Sequence, residues 1–242
     1  MFKPSVLIWL ALLAVWVAVR HFWPFPQLAW WQTLGLLYVF LFIAVTVVLR
    51  GDLRFVFTPS DGPYADGTGG WRWDRSFVGI VAVVAMWGLS IGLSLAMGTV
   101  SLQFPAIDLL IVVLVTQIVF VGFTEELFFR EAAMKSAKGD PLALITLSVL
   151  VFGLASWQAD GGIKFWLMGS GAVYLASRLA GVPILVVAIL HGLTNVLFTH
   201  VIWTEPSDYF TYGVLYFFGC VGIAAVTLGE TGGYQKPKIF ER

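Results

Sequence analysis

Thr124-Glu125-Glu126-Leu127-Phe128-Phe129-Arg130 sets two adjacent carboxylates and a guanidinium inside a stretch that otherwise reads as membrane. The residues before it, 107–123, hold one carboxylate, Asp108, and no cation. An ionised side chain at bilayer depth costs several kcal/mol unless it is paired or wet. On a helix, Glu126 and Arg130 are i,i+4 neighbours and can pair. Glu125 points about 100° away round the axis. With Arg130 taken by Glu126, Glu125 is left as a buried carboxylate without a local partner, which suits a general base. The competing reading is an ion pair that only locks helices together.

Composition supports the membrane setting. The chain of 242 residues is 59% hydrophobic and 12% charged, about half the charged fraction of a soluble domain. Zero formal net charge gives no footprint for nucleic acid. The single cysteine, Cys220, excludes an internal disulfide and a cysteine-based metal site, and is expected to fill apolar space in a helix.

Apolar runs of spanning length fall at 5–19, 34–49, 77–100, 107–129, 141–157, 163–180, 182–200 and 212–228. The expected fold is all-α: a polytopic transmembrane bundle of about eight spans. The first run resembles a signal peptide, yet Val15-Trp16-Val17-Ala18-Val19-Arg20 has no small-residue cleavage site, so it reads as a retained helix. With eight spans, every Lys and Arg except Arg20 and Lys164 falls on one side, which predicts that both termini are cytoplasmic. The stretch 50–76 is rich in Gly and Pro and reads as a polar loop. One structural domain is expected, divided into N-terminal helices (1–106), a core (107–200) and a last helix with a cytoplasmic tail (201–242).

Two further clusters lie within spans. In His191-Gly192-Leu193-Thr194-Asn195, the histidine and asparagine are i,i+4 and share a helix face. Together they can bind a water or an oxyanion, or make a helix–helix hydrogen bond. Phe152-Gly153-Leu154-Ala155-Ser156 reads by composition as a close-packing segment. His200 lies on the opposite face from His191 and about 13 Å along the axis, so one continuous helix cannot bring both to a metal.

These residues resemble the CPBP family of intramembrane endopeptidases, the CAAX-processing and bacteriocin-immunity (Abi-type) proteases. The family carries Glu-Glu-x-x-x-Arg, Phe-x-x-x-His and His-x-x-x-Asn or Asp on successive helices. The first is complete at Glu125, Glu126 and Arg130, and the third at His191 and Asn195. The second begins at Phe152 but has Ser156 in place of histidine. The resemblance spans roughly residues 107–200. It implies a peptide hydrolase of the glutamic type in a multi-pass integral membrane protein, sited in the prokaryotic inner membrane. The implied substrate is a membrane-anchored or prenyl- or lipid-modified protein, met in the lipid bilayer. Glu125, His191 and Asn195 would be catalytic, with Glu126, Arg130, Phe152 and Ser156 in support. The family has been described both as metal-dependent and as glutamate proteases. No obligatory cofactor is expected, since two glutamates and one histidine make a thin zinc shell; a divalent metal such as zinc is the alternative. Because serine cannot accept a proton near neutral pH, a second reading is a catalytically impaired pseudoprotease acting in membrane binding, immunity or assembly. A proton-relay or transport role for Glu125 and His191 is the third.

Overall fold

The computed structural model describes residues 14, 38–39, 73–137, 140–155 and 161–231. The expected spans at 5–19 and 34–49 fall largely outside them, with only Ala14, Tyr38 and Val39 described, all helical. Most of the 50–76 loop, Ser156 and both chain ends also lie outside the described residues.

Helix α1 (Trp73–Met97) leads into a short strand, β1 (Gly98–Leu102). A continuous helix α2 covers 107–137. Next come α3 (Pro141–Ala155), α4 (Gly161–Leu179), α5 (Ile184–Val201), β2 (Ile202–Pro206) and α6 (Tyr209–Glu230). Four of these helices are long and apolar enough to cross a bilayer: Asp74–Met97, Ile107–Ala132, Ile184–Val201 and Tyr209–Glu230. Exposed apolar side chains such as Phe77, Val119, Phe218 and Val226 line their outer faces, a surface suited to lipid. The molecule is an all-α polytopic membrane protein. Among the described residues, the extended element is the ribbon of β1 antiparallel to β2, running from Gly98 opposite Pro206 to Leu102 opposite Ile202. That ribbon ties the end of α1 to the α5–α6 connection.

Local sequence sets the helix ends. Asp140 caps α3, accepting from the backbone N–H groups of Leu142 and Ala143, with Pro141 at the first helical position. Asp208 caps α6, accepting from the Phe210 and Thr211 N–H groups and the Thr211 hydroxyl. The Thr211 hydroxyl holds the Asp208 carboxyl below its usual range. Between α4 and α5 the chain reverses through Gly181 at φ 96°. The Gly181 N–H returns to Arg178 O and the Val182 N–H to Ser177 O, satisfying carbonyls at the end of α4. Pro183 then starts α5.

Two cores hold the helices. One gathers Leu127, Phe128 and Phe129 of α2 with Leu144, Leu147 and Phe152 of α3, and includes Tyr38. The other joins Val83 and Met86 of α1 to Val173 and Tyr174 of α4, Val187 of α5, and Tyr216 and Cys220 of α6. Cys220 is fully buried there, as expected. The approach of α2 to α5 decides the site. A Cβ on Gly122 would lie 2.5 Å from Ala188 O, and one on Gly192 would lie 2.6 Å from Ile118 Cα. With no side chain at either crossing, the two backbones touch. Glu125, one turn after Gly122, is thereby set opposite His191, which adjoins Gly192.

Candidate active site

Glu125 and Glu126 occupy one α-helical turn, Phe123–Glu126, flanked on both sides by wider π-type turns at Thr116–Gly122 and Leu127–Ala132. Such turns recur at functional sites because they re-aim side chains. Across the crossing, His191 Nδ1 lies 2.7 Å from Glu126 Oε1, and His191 Nε2 lies 3.7 Å from Glu125 Oε2. An ionised carboxylate only accepts hydrogen bonds. A carboxylate at Glu126 favours the imidazole tautomer that carries its proton on Nδ1, which turns the Nε2 lone pair towards Glu125.

Glu126 and Arg130 are both fully buried and form the expected i,i+4 pair, with Arg130 Nε 3.2 Å from Glu126 Oε2. Neither atom has an aligned hydrogen-bond partner among the described residues, so the attraction is one of charge rather than of a directed bond. The guanidinium is held from other sides. Nη1 donates to Ser148 O at 3.3 Å, and Cζ lies 4.7 Å above the Phe152 ring and 5.7 Å from that of Tyr174.

Aromatic rings fix the imidazole. Tyr174 stacks on His191 at 4.8 Å, and Phe152 meets it edge-on at 5.8 Å. Tyr174 is itself fixed, because its hydroxyl donates to Thr194 Oγ1 at 2.7 Å. The Trp87 indole N–H donates to the same oxygen at 2.8 Å, and the Thr194 hydroxyl passes its own proton to Leu190 O. All three partners of that hydroxyl are therefore used, and the residue in the fourth position of the His-Gly-Leu-Thr-Asn run locks the first.

The structure thus brings together Glu125, Glu126, Arg130, Phe152 and His191. Asn195 is half-buried, and its Nδ2 donates to Gln117 Oε1 of α2 at 3.1 Å; among the described residues no hydrogen bond joins it to a glutamate. Two cross-helix bonds add to the expected i,i+4 pair. Glu126 also carries His191. Glu125, which has no partner within its own helix turn, meets the Tyr38 hydroxyl, 87 residues away in sequence, which donates to its Oε1 at 2.5 Å. Helical spacing identifies only neighbours on the same helix, so neither cross-helix bond was visible in it. Tyr38, Trp87, Gln117 and Tyr174 carry no local signal, and Thr194 had one only through its place between His191 and Asn195.

As donors for a divalent cation the described residues do not fit a three-ligand zinc site. Both Glu126 oxygens already face Arg130 or His191, which leaves Glu125 and His191 Nε2. Among the described residues no group of three His, Cys, Asp or Glu is placed to share an ion.

Residues 107–197 match the family model described as type II CAAX prenyl endopeptidase Rce1-like. Over that segment the chain is similar to the Rce1-like family, in agreement with its motifs. No curated protein and no solved structure matches the chain. The family match and the apolar helices support an integral membrane protein of the CAAX-type intramembrane protease class. A prenylated or membrane-anchored protein is the class of substrate that this family implies, in a lipid environment.

Proposed function

We propose that this chain is an intramembrane endopeptidase that activates a water with Glu125 and cleaves a membrane-anchored or prenyl- or lipid-modified protein. The observation that carries this reading is the pair Glu125 Oε2 and His191 Nε2, 3.7 Å apart. That gap is too long for a direct hydrogen bond and suits a water bonded to both groups. Exposure favours the same assignment: the Glu125 side chain is 10% exposed, whereas that of Glu126 is 0% exposed.

Glu125 takes one proton from the water while His191 Nε2 accepts the hydrogen bond of the other. The water oxygen bonds to the substrate carbonyl carbon, and the carbonyl π pair moves to oxygen. Asn195 has two N–H groups, and its bond to Gln117 uses one. In this reading the second donates to the oxyanion, where a single donor contributes about 3 kcal/mol. The C–N bond then breaks as Glu125 returns its proton to the leaving nitrogen. Glu126 holds the imidazole tautomer, and Arg130 balances its charge. The excess of cations on one side would put the connections after α2 and α4 in the cytoplasm of a prokaryotic cell, with the protein in its inner membrane.

Ser156, in place of the second-motif histidine, favours one other reading, a pseudoprotease that keeps the fold to bind a membrane partner. Terminal proteomics of membrane proteins separates the two. The C-terminal profiles of cells carrying wild type, Glu125→Gln and a deletion are compared, with the variant's level in the membrane checked. Proteolysis predicts that wild type differs and that the other two coincide. Identical profiles in all three would sink the protease reading.

A further inference from the structure

We infer that Tyr38 is the positioning residue for Glu125, an assignment that rests on the proteolytic reading of the site. Three observations carry it. Tyr38 is buried, 3% exposed, in the same apolar cluster as Leu127, Phe128, Phe129 and Phe152, and the Phe152 ring lies against both Arg130 and His191. Its hydroxyl donates to Glu125 Oε1 at 2.5 Å. The other oxygen, Oε2, is the one that lies towards His191 Nε2.

The two carboxylate oxygens are therefore not equivalent. Tyr38 occupies one, and the other faces the place assigned to the water. A carboxylate free to rotate about its terminal torsion would present either oxygen, since that torsion is broad and roughly two-fold. A hydrogen bond to one oxygen from a rigid aromatic in a packed core removes that freedom. Glu126 receives the same treatment from Arg130 and His191, so each glutamate is oriented from outside its own helix turn or by a charged neighbour within it. Tyr38 lies outside the matched segment, 107–197, so the site draws on a part of the chain to which the family match gives no role. The 107–197 segment by itself would hold Glu125 incompletely.

The test replaces Tyr38 by Phe, which removes the hydroxyl and keeps the ring. Infrared difference spectra of the purified full chain report the Glu125 carboxyl band, identified by its loss in Glu125→Gln. Tyr38→Phe is expected to move that band. It is also expected to lower kcat about tenfold to a hundredfold, the range for one hydrogen bond to a charged group, with KM unchanged. Fluorinated tyrosines at position 38 alter the hydroxyl's acidity while nearly keeping its volume. Graded changes in kcat across them would mark a role beyond packing. An unmoved carboxyl band overturns the inference, whatever the activity. So does an unchanged kcat in Tyr38→Phe under conditions where Glu125→Gln is inactive. If wild type cleaves nothing, it is the proteolytic reading that has failed, and the band alone then decides whether Tyr38 holds Glu125.

Discussion

Helix α2 carries two buried glutamate–arginine pairs a few residues apart, and they are built differently. Glu126 pairs with Arg130 one turn along the same helix, and its Oε1 is left for His191. Glu131 pairs with Arg178 of α4, which also reaches Val182 O in the α4–α5 turn at 3.4 Å. The second pair is a clasp: its guanidinium fastens α2 to the end of α4 and the start of α5. The first pair sits beside an imidazole nitrogen and a second carboxylate that face each other across 3.7 Å. Burial and charge pairing are common to both, so neither marks chemistry. What separates them, among the described residues, is an imidazole nitrogen that faces a second carboxylate across 3.7 Å.

Substitutions that preserve shape should break the symmetry most sharply. Glu126→Gln removes the charge that orients His191 and should lower turnover about a thousandfold or more, as loss of an orienting carboxylate does in other hydrolases. Glu131→Gln should leave turnover per folded molecule near wild type in the same cleavage assay. Equal losses in both would mean that the two pairs share one role. Removing a cation tests the clasp. Arg178→Ala leaves Glu131 buried and unpaired and should cost about 3–5 kcal/mol in unfolding measurements. The double replacement Glu131→Leu with Arg178→Met should recover most of it, as apolar replacement of a buried pair often does. The smallest effect changes no charge. Gly192→Ala puts a Cβ 2.6 Å from Ile118 Cα and 2.7 Å from Gln117 O, and backbone atoms yield poorly. The cost should be about 1–3 kcal/mol, with kcat reduced because His191 moves from Glu125. A stability loss with kcat intact would show that the α2–α5 distance does not govern the chemistry.

Much of the frame was legible in the residues. Hydrophobic runs placed the helices from α1 to α6 within a few positions, although α2 runs on past Phe129 to Ala137 and brings Glu131 into the interior. The β1–β2 ribbon was not anticipated, since Val100 and His200 lie close to long apolar runs and nothing local marks a strand pair 104 residues apart in register. In the sequence Arg178 counts only among the cations of one side. Its burial against Glu131 depends on how α4 lies on α2, which no window of sequence contains.

By itself, then, the sequence determined the membrane setting, the pairing of Glu126 with Arg130, and the candidacy of His191 with Asn195. Each of these follows from composition or from the 3.6-residue period, which fixes what lies one turn away. The tertiary structure decided which glutamate holds the histidine, that Tyr38 engages Glu125, and that Tyr174 and Thr194 fix the imidazole. The contacts of Tyr38 with Glu125, Glu126 with His191, and Tyr174 with His191 and Thr194 join residues 17 to 87 positions apart in sequence. They depend on the distance and rotation between packed helices, which at this site are set by two facing glycines, Gly122 and Gly192.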